Sequence, residues 1–172
     1  IIYNEKSSII AANLPHKYRR RFFKKGYYGR LLPFLQQEST FWSKEVIPQL
    51  DFKKLSSLKY AGDYYLWYTF AHQSDLYVVN AYAGGFKYHT GQLSEDIKKY
   101  KDEMIQICKN KFINPFDYFL IIFDYFCGFF ISDKLKAVLN KNKCFIYNLS
   151  KQKFELPNWS SIKKHKKSGE NR

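Results

Sequence analysis

The sequence predicts an α/β fold, a small mixed sheet with flanking helices and a long aromatic helix towards the C-terminal end. Two observations carry this. Segments whose apolar residues recur at helical spacing alternate with short β-rich apolar runs, in the order strand, helix, strand, helix, helix. The 172 residues are 45% hydrophobic and 20% aromatic, which suffices for one real core, since chains of this size bury roughly 70% of their unfolded surface.

The elements follow in order. Residues 1–12 form a short apolar stretch that reads like the interior of a protein, so a further segment is expected upstream. Then comes LPHKYRRRFFKKGYYGRLLPF, bounded by Pro15 and Pro33 and containing Gly26 and Gly29, which predicts an ordered loop. Aromatics interleaved with cations suit base stacking or phosphate binding. No RNP-type or helix-turn-helix pattern accompanies them, so nucleic acid is not an expected partner.

The apolar LLPFL reads as a strand end and STFWSKEVI as a short helix limited by Pro48. Gln36, Gln37 and Glu38 therefore fall at a strand-to-helix junction. A helix is predicted over residues 63–73, because Asp63, Leu66, Trp67 and Phe70 fall on one face. Residues 76–79 and 86–89 read as extended structure broken by Gly84 and Gly85, with Lys87 and His89 pointing the same way.

The run QLSEDIKKYKDEMIQICKNKF predicts an amphipathic helix with Ser94 as N-cap and Glu95 and Asp96 in its first turn. An aromatic helix is expected around NPFDYFLIIFDYFCGFFISDKLKAVL, whose longest apolar run is residues 116–131, then an edge strand in KCFIYNLS and a basic tail over residues 160–172. In the aromatic helix, Asp117, Asp124 and Gly128 form a narrow polar stripe. Two settings suit such a helix. In a core both carboxylates need partners; at a bilayer interface, basic neighbours would meet anionic lipid. The 16-residue run is shorter than the roughly 20 residues a spanning helix needs.

The formal charge of +14 favours a polyanionic partner, whether a membrane surface, a nucleic acid or phosphorylated substrates, and charge alone does not choose among them. The three cysteines show no metal spacing, so free thiols in a cytoplasmic setting are expected, with peripheral contact to the inner face of the cytoplasmic membrane as the alternative.

Three segments, FLQQESTFW, LKYAGDYYLWYTFA and LYVVNAYAGGFKYHTGQLS, together resemble the second half of the catalytic domain of bacterial family 2 glycosyltransferases, which have a GT-A fold. The resemblance spans roughly residues 31–94 and rests on the ordered combination. It implies a partial GT-A domain over residues 1–110, a helical extension over 111–159 and the tail. In that family an aspartate-rich D-x-D motif of the first half holds the nucleotide-sugar and a divalent metal, Mn²⁺ or Mg²⁺. No D-x-D occurs in this sequence, so the resemblance implies that this chain supplies the acceptor side only.

The family's second half supplies an acid, usually in a Glu-Asp pair at a helix start, that deprotonates the acceptor hydroxyl. The matching residue is Asp63, with Gly62 where the glutamate usually stands. The chemistry fits independently, since a fixed carboxylate can take the proton of a weakly nucleophilic sugar hydroxyl as it attacks the anomeric carbon. The literal pair Glu95 and Asp96 is instead expected to compensate a helix dipole.

His89 matches a histidine that reaches the donor's metal or diphosphate, and Lys87 beside it would offset diphosphate charge. Gln37 and Glu38 match a run that lies near the sugars. Gln92, Trp42 and Trp67 complete the expected substrate set, although Trp67 also shares the apolar helix face expected in the core. The expected activity is inverting transfer from a nucleotide-sugar to a surface-glycan or lipid-linked saccharide. The alternative is a non-catalytic basic, aromatic protein that binds anionic membrane or a partner subunit.

Overall fold

A computed structural model describes residues 1–12, 18–89, 96–110, 112–132 and 143–156, together with Leu135 and Leu139. It is a mixed α/β structure with two small mixed sheets where one was expected. In the first, β1 (Ile2–Tyr3) pairs antiparallel with β2 (Ile9–Ala11) and parallel with β4 (Phe86–Lys87). In the second, β5 (Cys144–Asn148) lies between β3 (Val78–Val79) and β6 (Lys153–Glu155). The segment expected as an edge strand is therefore central, because both of its backbone edges find partners. The runs around 76–79 and 86–89 shorten to two residues each and enter different sheets.

The segment expected as a loop contains a helix, α1 (Arg20–Lys24), whose Phe22 and Phe23 are buried. Gly26 ends it at φ +67, a left-handed position, and an added Cβ there would stand 2.8 Å from the Cys108 sulfur. The expected strand end in LLPFL reduces to a bridge between Tyr28 and Leu32. The expected helix after it is a 3-10 helix, Lys44–Gln49, which contains Pro48. A further short helix, α2 (Phe52–Ser57), starts at Asp51, whose side chain accepts from the Lys53 and Lys54 amides.

The remaining helices are α3 (Gly62–Phe70), α4 (Ile97–Cys108) and α5 (Pro115–Phe130). Asp96, rather than the expected Ser94, caps α4 by accepting from the Lys99 amide; Ser94 and Glu95 lie outside the described residues. Asn114 caps α5 in the same way at the Phe116 amide, with Pro115 at the first helical position. The three cysteines are free thiols.

The core is aromatic. Phe22, Phe23, Tyr27 and Tyr28 pack with Trp67, Phe70 and Ile121, and a second cluster joins Tyr64 and Tyr65 to Met104 and Ile107. Buried within this apolar interior are the two carboxylates of the α5 stripe, Asp117 and Asp124. Asp117 is paired with Lys25 at 2.7 Å, with Arg21, and with the Tyr27 hydroxyl at 3.2 Å. Asp124 receives both Nε and NH2 of Arg19, at 2.7 and 2.8 Å. Arg20 donates to the carbonyls of Ala71 and His72, the unsatisfied C-terminal end of α3. Arg30 donates to the Asn110 carbonyl at 2.7 Å, while Asn110 donates back to the Lys25 carbonyl at 2.9 Å. The cations that suggested phosphate binding therefore tie α1 to three other helices.

Removing one partner of such a buried pair leaves an uncompensated charge. Asp117→Ala is expected to lower unfolding free energy by roughly 3–5 kcal/mol, measured by urea denaturation. Asp102→Ala, on the exposed side of α4, should change it by less than about 0.5 kcal/mol.

Candidate functional site

Asp63 occupies the first turn of α3 and is half-buried. One carboxylate oxygen accepts from the Tyr64 amide at 2.7 Å and from the Tyr100 hydroxyl at 2.9 Å. Burial pushes its pKa above the ordinary aspartate value; the Tyr100 and backbone hydrogen bonds pull it back in part, and the field of Glu38 adds to the rise. A carboxylate whose pKa is raised in this way is a stronger base than an exposed one.

The position of Asp63 is set from α4. Tyr100 and Glu103 lie one turn apart on that helix and both reach the start of α3. The Glu103 carboxylate accepts from three successive amides, Lys59 at 3.1 Å, Tyr60 at 2.9 Å and Ala61 at 2.8 Å. Ala61 itself has no side-chain acceptor, and Glu103 satisfies its amide together with the two before it, fixing the chain as it enters α3. Neither residue is singled out by the sequence patterns, because their partners lie more than 35 positions away. The only local signal is the spacing of Tyr100, Glu103, Met104 and Ile107, which places them on one face of α4. Gly62 is not required sterically, since a Cβ there would meet only Leu55, at an ordinary 3.6 Å.

The three segments that carry the resemblance approach one another. Gln37 and Glu38 lie exposed in a 3-10 turn, Gln37–Ser39. A Cβ added at Gly84 would overlap the Glu38 carbonyl, so the backbone of the glycine loop rests directly on that turn. The loop leads into β4, which β1 holds through the Phe86 amide to Ile1 carbonyl bond at 2.9 Å and the Tyr88 amide to Tyr3 carbonyl bond at 2.8 Å. Lys87 and His89 are exposed at the end of this strand. Glu38 is thus linked to Asp63 through its field and to β4 through backbone contact.

The other expected residues divide. Trp67, expected against a sugar, is a core residue at 6% exposure, packed with Phe70 and Ile121, and its apolar helix face explains the difference. Trp42, 43% exposed, covers it edge-on with ring centroids 5.8 Å apart. Gln92 lies outside the described residues. Asp96 pairs with Lys99 on the surface, which holds its carboxyl below the ordinary range and fits the helix-start role. Among the described residues no three His, Cys, Asp or Glu side chains are grouped to hold a metal ion, so His89 offers at most one ligand.

No protein-family model, curated protein or solved structure matches the chain.

Glu103 gives a pH-dependent prediction. Burial pushes its carboxyl up, but the three amide bonds outweigh this and hold it below the ordinary glutamate value. Its contribution is therefore complete above about pH 4.3 and is lost as pH falls through the lowered folded value. Glu103→Gln should cost about 1–2 kcal/mol at neutral pH, and urea titrations should show the gap from the parent closing below about pH 4. A gap of constant size down to acid unfolding would mean that charge at Glu103 is irrelevant.

Proposed function

We propose that the chain forms the acceptor side of an inverting GT-A-type glycosyltransferase, with Asp63 as the general base. The observation that carries this is the half-buried Asp63 carboxylate at a helix start, raised in pKa and oriented by Tyr100, beside the turn that bears Glu38. In the reaction, Asp63 takes the proton of an acceptor hydroxyl as that oxygen attacks the anomeric carbon from the face opposite the nucleotide. One C–O bond forms, the bond to the nucleoside diphosphate breaks with its electron pair, and the configuration inverts. Gln37 and Glu38 hold acceptor hydroxyls by directional hydrogen bonds, and Trp42 offers an exposed ring face.

In the family resembled, the donor nucleotide-sugar is held by a D-x-D half, and no D-x-D occurs in this sequence, so donor binding is not proposed for these residues alone. Lys87 and His89 are the side chains of this chain proposed to face the diphosphate. A divalent metal held mainly by such a half would neutralise the leaving group. The acceptor class proposed is a surface-glycan or lipid-linked saccharide, and the location cytoplasmic.

Joined to a donor-binding segment, Asp63→Asn should lower turnover by roughly 10²- to 10⁴-fold while donor affinity is kept. Asp96→Asn should change the rate less than about threefold. Steady-state transfer assays and donor calorimetry measure both. Normal turnover in Asp63→Asn would mean that another group takes the acceptor's proton, whereas no transfer by the joined parent protein would favour a non-catalytic binding protein. Because the pKa of Asp63 is raised, the acid limb of the rate profile should lie above about pH 3.9.

A further inference from the structure

The aromatic helix α5 has two faces of opposite character. Asp117, Ile121, Asp124 and Cys127 are buried and face the body of the protein. The opposite side exposes Phe119 at 65%, Ile122 at 53%, Phe126 at 53% and Phe130 at 72%. Apart from Asp117 and Asp124, both turned inward onto cations, α5 contains no charged residue. This face is too continuous to be the scatter of single apolar residues found on ordinary surfaces.

We propose that this face of α5 seats the protein on an anionic lipid bilayer, lying in the plane of the interface. The inference goes beyond glycosyl transfer and does not depend on it.

Charge selects the occupant. Three cations, Arg19, Arg21 and Lys25, meet the two carboxylates of α5, so this contact carries a net positive charge, and Arg21 and Lys25 are partly exposed beside the apolar face. Arg21 stands at the border of that face, 5.4 Å from the centroid of the exposed Phe116 ring. A second copy of a chain with charge +14 would bring like charge to the same border, whereas anionic headgroups complement it. The shape agrees. Sixteen residues at 1.5 Å each give a helix of about 24 Å, short of the roughly 30 Å hydrocarbon core. No helix among the described residues is long and apolar enough to cross a membrane. A helix that buries one apolar side and holds polar groups on the other lies flat. Tyr118, exposed along one edge of the face, has the amphipathic ring suited to headgroup depth.

The test is co-sedimentation of the full chain with vesicles of phosphatidylcholine containing phosphatidylglycerol, against pure phosphatidylcholine. Binding is expected to the anionic vesicles, at least about tenfold weaker to the neutral ones, and reduced by raising salt from about 0.1 to 0.5 M. The Phe119→Ser/Phe126→Ser variant keeps every charge and alters only exposed rings; it should bind at least about tenfold more weakly, with unchanged circular dichroism. If that variant does not fold, photo-crosslinking from p-benzoylphenylalanine at position 119 of the otherwise intact chain should yield lipid adducts with anionic vesicles. Undiminished binding by the folded double variant would overturn the proposal in favour of non-specific charge attraction. Absence of lipid adducts would overturn it too. So would self-association of the parent chain that the double variant abolishes, since the face would then belong to a second copy.

Discussion

Two carboxylates buried against a cluster of arginines and lysine hold this fold together. Asp117 and Asp124 would each be costly inside an aromatic core, and each is paired with cations from the segment around α1. Since Arg20 also satisfies the end of α3, and Arg30 and Asn110 close the end of α4 onto the same segment, the stretch Arg19–Arg30 that contains α1 holds three longer helices at once. Gly26 permits this convergence, because a side chain there would occupy the space taken by Cys108. Aromatic packing supplies the apolar area, with Phe22 and Phe23 beneath the cations. The ion pairs add register: a helix bearing Asp at i and i+7 can dock on these cations in one rotation only.

That rotation has consequences for what remains outside. With its carboxylates turned inward, α5 must turn its phenylalanines outward. With α4 held at its C-terminal end, Tyr100 and Glu103 are delivered to the start of α3, where one orients Asp63 and the other closes the exposed amides. The candidate base is thus positioned by a helix that contributes nothing else to the candidate site. Its raised pKa follows from the same packing, since burial beside the apolar cluster around Tyr64 and Met104 outweighs the lowering by the Tyr100 hydrogen bond.

Periodicity in the sequence located α3, α4 and α5 well, because each buries a stripe at helical spacing. It failed where tertiary contacts decide. The RRRFFKK run has the composition of a surface loop, and nothing local shows that its cations answer carboxylates some 90 to 105 positions later. The polar stripe of α5 was the visible half of that pairing; a stripe says that partners are needed but not where they lie. Trp67 was legible as both core and site, and its place on the buried face of α3 settles it as core. The two-residue strands were overestimated, since β-rich composition does not state which backbone edge will be available for pairing. Glu103 is not legible in the sequence because an acceptor supplied from another helix to the amides before α3 has no sequence spacing.

The keystone role of the α1 cations is tested most directly by a double-mutant cycle between Arg19 and Asp124, followed by urea unfolding of Arg19→Ala, Asp124→Ala and the double variant. If the pair is a buried, bidentate unit on which helix docking depends, the single losses should each cost roughly 3 kcal/mol and couple by nearly as much, the double variant being little worse than either one. Additivity of the two single losses to within about 0.5 kcal/mol would contradict it, and would return the basic segment to the surface role that its composition first suggests.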